Sequence, residues 1–179
     1  MVSFTDCLRG FAGPARRMYY ARVVFAQVDA DLRSIVLGPD VCRNFHLVEP
    51  RRLRIGAGTV LNGDCYINAQ GGVSIGRYCH IAKGLTVLSS NHNFRSQISI
   101  PYDCNDVLKE VNIGEAVWIG ANVSISPGSR IGDGAILALG AVVRGEVPAC
   151  AIVAGNPAQV VGWRDRDLFQ HLQKKGAFS

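Results

Sequence analysis

Of the four histidines in this 179-residue chain, His92 stands where an imidazole has most use. It lies within Ser89-Ser90-Asn91-His92-Asn93-Phe94-Arg95-Ser96-Gln97, a polar run that opens the one break in an otherwise regular pattern. Imidazole titrates near neutral pH, so a neutral ring held at the root of a loop suits a general base. Asp103, Asp106, Glu110 and a backbone carbonyl are the candidates to orient it. Zinc would need three or four converging ligands, and His46, His80 and His171 are scattered, so no metal is expected. The six cysteines form no CxxC pair, which reads as packing in a reduced chain rather than as redox or metal chemistry.

The elements that position His92 follow from a spacing of six. Twelve positions carry only Ile, Leu or Val: Ile55, Leu61 and Ile67; Ile75, Ile81 and Val87; then Ile113, Ile119, Ile125, Ile131, Leu137 and Val143. A small or β-branched residue follows four places later in most units, Cys65 and Cys79 among them. Six matches neither the helical period nor strand alternation, and short repeats of this kind signal a stacked parallel β-helix. Three units make one turn of a triangular prism, about 18 residues, with coils roughly 4.8 Å apart. Coils are expected at 55–72, 75–92, 113–130 and 131–148, with an irregular one over 37–54, because Arg43 and Glu49 fall on the anchor grid. Ile152 and Val153 read as a closing strand.

The chain therefore divides into an N-terminal helical segment over 1–36, a β-helix over 37–161 with a loop projecting at 93–112, and a tail with a short helix over 162–179. The helix rests on Met18, Ala21, Phe25, Val28, Leu32 and Ile35, which recur at three and four. It is expected to pack on an end of the prism, with contact to a bilayer as the minor alternative. No run approaches the ~20 apolar residues of a membrane span. The net charge of +5 gathers at the two ends and suits an anionic ligand or membrane face. No basic run is interleaved with aromatics, so nucleic acid is not an expected partner. These features place the chain in the cytoplasm, with the inner membrane face as an alternative.

Three further motifs carry a resemblance. Ile113-Gly-x-x-x-Trp118-Ile-Gly-Ala-Asn-Val123 leads into Ser126-Pro127-Gly128 and Ile131-Gly132-Asp133-Gly134-Ala135, and Val153-Ala154-Gly155-Asn156-Pro157-Ala158 ends the series. Together they resemble the bacterial hexapeptide-repeat acyltransferases, in particular the galactoside, maltose and polysaccharide O-acetyltransferase branch, across residues 50–163. The hexapeptide pattern alone marks only the fold and is shared with γ-class carbonic anhydrases. The resemblance implies a left-handed coil, a homotrimer with sites between neighbouring prisms, and acetyl-CoA as co-substrate. It implies His92 as the base that takes the proton of an acceptor hydroxyl, and Asn68 as a residue holding the acceptor. Trp118, Gly120, Ala121, Ala138, Leu139 and Gly140 would line the cofactor arm. Arg144 would meet its phosphates, and Asn156 would belong to the same cofactor site. Gln159 stands where many relatives have a basic residue, so Arg164 or Arg166 would meet the 3′-phosphate.

The expected activity is O-acetylation of a sugar in a lipopolysaccharide, capsule or other glycan. The alternatives are an N-acyltransferase on an amino sugar or sugar nucleotide, a metal-dependent hydratase of the carbonic anhydrase type, and a non-catalytic scaffold. Asn91, Asn93 and Tyr102, with Tyr78, Phe94 and Arg95, are the side chains able to hydrogen-bond or stack on a sugar ring.

Overall fold

A computed structural model describes residues 27–30, 36–37 and 45–178. Its anchors form three columns. Ile55, Ile75, Ile113, Ile131 and Val147 pair in register up one face. Leu61, Ile81, Ile119, Leu137 and Val153 do so on the second, and Leu47, Ile67, Val87, Ile125 and Val143 on the third. The faces are parallel sheets, save that Gln159–Trp163 folds back antiparallel on Ala151–Ala154 and closes the second. Most anchor side chains are fully buried. So are the small residues between them, Cys65, Cys79, Val117, Val123, Ala135 and Ala141. Burying an aliphatic side chain is worth about 1.5–3 kcal/mol, so the stack of anchors dominates stability. The result is the expected all-β prism.

Thr59 shows how the interior tolerates polarity. Its Oγ1 donates to the Gly76 carbonyl at 2.8 Å and accepts the Cys79 N–H at 3.1 Å, which ties two coils together.

Two departures from the grid have physical reasons. The coil between Ile55 and Ile75 takes extra residues at the corner 69–72, where Gly72 adopts φ +95°. Near the start, the register sets Leu47 opposite Ile67, so Leu47 and not Glu49 is the anchor there, while Arg43 lies outside the described residues.

The N-terminal boundary needs correction. Where a helix was expected to run to residue 36, Asp29–Ala30 and Val36–Leu37 are strands paired with Arg54–Ile55 and Val60–Leu61. An open sheet edge offers these residues ladder partners that a solitary helix end lacks. The stack therefore begins before residue 37, and Val28 is buried in its core. Met18, Ala21, Phe25, Leu32 and Ile35, and with them the proposed bilayer contact, lie outside the described residues. Among the described residues no helix is long and apolar enough to cross a membrane. At the other end, the expected tail helix spans Arg166–Lys174, capped by Asp165, whose carboxylate accepts the Leu168 N–H at 2.9 Å.

Candidate active site

The projection leaves the prism at Ser90, earlier than the expected boundary at 93, and it is a hairpin. Ser90–His92 pairs antiparallel with Asp106–Leu108, and the regular coil resumes at Val111–Ile113. Its root is bolted to the enlarged corner of the coil below. Ser89 is buried, with its hydroxyl donating to the Asn68 carbonyl at 2.7 Å and accepting the Gly71 N–H at 2.8 Å. The Asn68 amide donates to Ser90 Oγ at 3.1 Å, and its oxygen accepts the Gln70 N–H at 2.9 Å.

On this mount His92 and Asp106 are cross-strand partners. His92 Nδ1 lies 3.0 Å from Asp106 Oδ1. The other carboxylate oxygen accepts from Gln70 Nε2 at 3.0 Å, so the acid is held on both sides. A carboxylate at Nδ1 keeps the proton there and leaves Nε2 as the acceptor. Tyr102 stacks on the imidazole, with ring centroids 4.0 Å apart and planes 11° apart. The turn beyond is fixed by Asp103, which accepts from Asn93 Nδ2 and from the Asn105 N–H, each at 2.8 Å. The Asn105 N–H is the main cause that holds the Asp103 carboxyl below the usual carboxylate range.

His92 opens onto a cleft of about 640 Å3 lined by Asn91, Asn93, Phe94 and Val107 of the hairpin and by Ser126 and Pro127 of the next coil. Three cations, Arg95, Lys109 and Arg144, complete the lining. Arg95 lies over Phe94, 5.7 Å from its centroid. Of the residues expected at the acceptor, Asn91 and Asn93 line this cleft and Tyr102 flanks the base, whereas Asn68 sits behind the hairpin root.

The residues expected along the cofactor arm lie elsewhere on the chain. Gly120, Ala121 and Ala138–Gly140 occupy successive corners between the second and third faces, across the third face from the hairpin. Leu139 is 71% exposed there. A Cβ on Gly120 would come within 2.7 Å of the Leu139 nitrogen, so coil stacking alone already requires this glycine. Gly140, at φ +70°, faces open space. Among the described residues no backbone acceptor meets the N–H groups of Ala121 and Leu139. Trp118 and Arg164 line a separate cavity of about 310 Å3 with Tyr78, His80 and the tail residues Phe169 and Phe178. The Arg164 Nε is buried without a partner among the described residues. Asn156 is exposed in the turn joining the last two strands.

Residues 110–145 match the model of a family described as bacterial transferase hexapeptide, six repeats. The chain carries that hexapeptide repeat. A protein of Escherichia coli strain K12, WbbJ, named for O-acetyl transfer in lipopolysaccharide biosynthesis, is 36% identical over 96 residues, which are 50% of this chain and 49% of that one. The chain spans half or less of the length of the first curated relatives it matches. Among solved structures, a maltose O-acetyltransferase from Clostridium difficile 630 superposes with a TM-score of 0.72 at 22% identity, covering 90% of this chain and 83% of that one. A galactoside acetyltransferase in complex with coenzyme A gives 0.70 at 22%, covering 92% and 80%. At that identity the likeness is one of fold.

Within this hexapeptide-repeat chain, sequence reasoning missed Gln70 and Lys109, and left Asp106 as one of several candidates. The signal for Gln70 was the two-residue slip in the grid before Val73, which marks an enlarged corner. Nothing in the sequence announced the pairing that brings Asp106 to His92, because hairpin register depends on the fold of the turn.

Proposed function

We propose that this chain transfers an acetyl group from acetyl-CoA to a sugar hydroxyl of a lipopolysaccharide, capsule or other glycan, with His92 as general base. The observation that carries the reading is the Gln70–Asp106–His92 chain, which engages Nδ1 of an imidazole that lines a cleft and leaves Nε2 clear of the carboxylate. In the proposed step Nε2 takes the hydroxyl proton while the oxygen attacks the thioester carbonyl. Collapse of the tetrahedral intermediate expels CoA as a thiolate, which recovers the proton from the imidazolium. The ester forms directly, with no acyl-enzyme. Asp106 stabilises the imidazolium between these transfers.

Acetyl-CoA fits the corner at Gly120–Ala121 and Ala138–Gly140. An extended amide arm needs hydrogen-bond donors and close access to the main chain, and the open N–H groups of Ala121 and Leu139 and the bare Gly140 offer both. In one chain that corner and the hairpin flank opposite edges of the third face. A homotrimer, in which the hairpin ridge of one copy faces the corner ridge of its neighbour, completes the site.

The test is His92→Ala, assayed by CoA release over a panel of glycan acceptors and by mass spectrometry of the products. Loss of about 100-fold or more in kcat is expected, with acetyl-CoA binding kept. Activity within tenfold of the parent would remove His92 from the chemistry.

A further inference from the structure

We infer that the acceptor held in the His92 cleft is anionic: a sugar carrying a phosphate or a carboxylate, bound by Arg95, Lys109 and Arg144. The inference rests on the acetyl-transfer reading for what happens to that sugar, although the binding it describes stands on the charges alone.

The three cations come from separate elements. Arg95 follows Phe94 on the hairpin, Lys109 comes directly after its returning strand, and Arg144 is at the corner after Val143. None of them has an ion-pair partner among the described residues, although Arg54 and Arg77 elsewhere are paired with Glu110 and Glu115. Among the described residues no carboxylate lines the cleft. Asp106, beside the imidazole, has one oxygen against His92 and the other against Gln70, so it is not available to neutralise them. The Lys109 stem is also placed: it runs over Gly128, where a Cβ would lie 3.3 Å from its Cδ. Three like charges around one concavity repel each other and raise the local concentration of anions. Arginine presents a fork that matches two oxygens of a phosphate or carboxylate, and lysine adds a point charge.

Two sources of oxyanion are available, the acceptor and the phosphates of acetyl-CoA. Reach separates them. About a dozen bonds part the donor's sulfur from its pyrophosphate, roughly four residues' worth of extended chain or ~14 Å, whereas the three cations line the same cleft as the imidazole. With the thioester beside His92, the donor's phosphates lie outside this cleft. Arg144, which the family resemblance sets at the level of those phosphates, lines the cleft of the base. The anion that fits is therefore carried by the acceptor.

Calorimetric titration of the full chain tests this without turnover. The probes are inorganic pyrophosphate, glucose 1-phosphate, glucuronate, methyl glucoside, CoA and 3′,5′-ADP. We expect pyrophosphate and at least one anionic sugar to bind, methyl glucoside to bind about tenfold or more weakly, and bound 3′,5′-ADP not to displace them. Arg95→Gln, Lys109→Gln and Arg144→Gln should each weaken the anionic probes about tenfold, with Arg144→Lys keeping part of the affinity and CoA affinity unchanged within twofold. The glucose 1-phosphate and glucuronate arms tell phosphate from carboxylate. Displacement of pyrophosphate by 3′,5′-ADP, or loss of CoA affinity in the variants, would assign the cations to the donor and overturn the inference. Equal binding of methyl glucoside, or no binding of any anion, would overturn it as well. Since His92 plays no part in these readouts, failure of the general-base role and failure of the anion site are separate results.

Discussion

His92 and Asp106 face each other across the projecting hairpin, Nδ1 to Oδ1 at 3.0 Å, and the same carboxylate is gripped from behind by Gln70 at 3.0 Å. A hydrogen bond that fixes a tautomer does more than hold a ring still, because it decides which nitrogen can accept a proton. The pair is partly exposed, so its direct contribution to folding is small. Its value lies in where it leaves Nε2.

Asp106→Asn tests that relationship more sharply than truncation. An asparagine that turns its NH2 toward Nδ1 would favour the opposite tautomer and place the proton on Nε2. We expect kcat to fall by about 100-fold or more, comparable to loss of the base itself, while the KM for acetyl-CoA changes little. Steady-state CoA release over pH 6–9 is the measurement, and a kcat within twofold of the parent at every pH would contradict the assignment.

Tyr102 contributes a flat surface rather than its hydroxyl in this geometry, with centroids 4.0 Å from the imidazole. Aromatic stacking is worth about 0.5–1.5 kcal/mol, or roughly 2- to 10-fold. Tyr102→Phe should therefore keep activity within about twofold and Tyr102→Ala should lose the larger factor. If Tyr102→Phe were as damaging as Tyr102→Ala, the hydroxyl would be the functional group and the stacking account would fail.

The prism was legible because its anchors repeat a single physical requirement, an aliphatic side chain aimed inward at every sixth place. Ile55 to Val143 could be placed on three columns before any coordinate, and Cys65 and Cys79 could be taken as packing residues. His92 was a candidate from the sequence because it stood where the repeat stopped. Asp106 was one of four candidates to orient it and Gln70 was not among them, since one depends on the register of a hairpin and the other on a slip of two residues at a corner, and neither has a periodic signature. The start of the stack was misplaced for a related reason. Asp29–Ala30 and Val36–Leu37 have no strand pattern of their own and take their structure from the ladder they join.

Thr59 offers a test of that packing logic. Thr59→Val keeps shape but strands the Cys79 N–H and the Gly76 carbonyl inside the prism. A cost of about 1–3 kcal/mol is expected from urea unfolding, and Thr59→Ser should recover part of it. A Thr59→Val variant as stable as the parent would mean that these groups find other partners when the hydroxyl is gone.

Cys65 and Cys79 link burial to alkaline stability. Burial is the main cause that pushes the Cys65 thiol up to about 12 and the Cys79 thiol up to about 11, from an ordinary value of 9.0. Both thiols hold their protons more tightly in the folded chain than in the unfolded one. Above pH 9 the unfolded state begins to release protons that the folded state still keeps, and stability falls with rising pH. The contribution is present in full below about pH 9, and is lost between 9 and 11 for Cys79 and between 9 and 12 for Cys65. Lysines and tyrosines titrate in the same window, so the comparison that isolates the thiols is with Cys65→Ala and Cys79→Ala. Each variant should be less stable than the parent at pH 8 because it leaves a small void. The parent's urea midpoint should then drop more steeply than theirs as pH is raised to 10.5. Parallel slopes for parent and variants would show that these thiols ionise in the folded prism as readily as in the open chain, and the account of their burial would have to be given up.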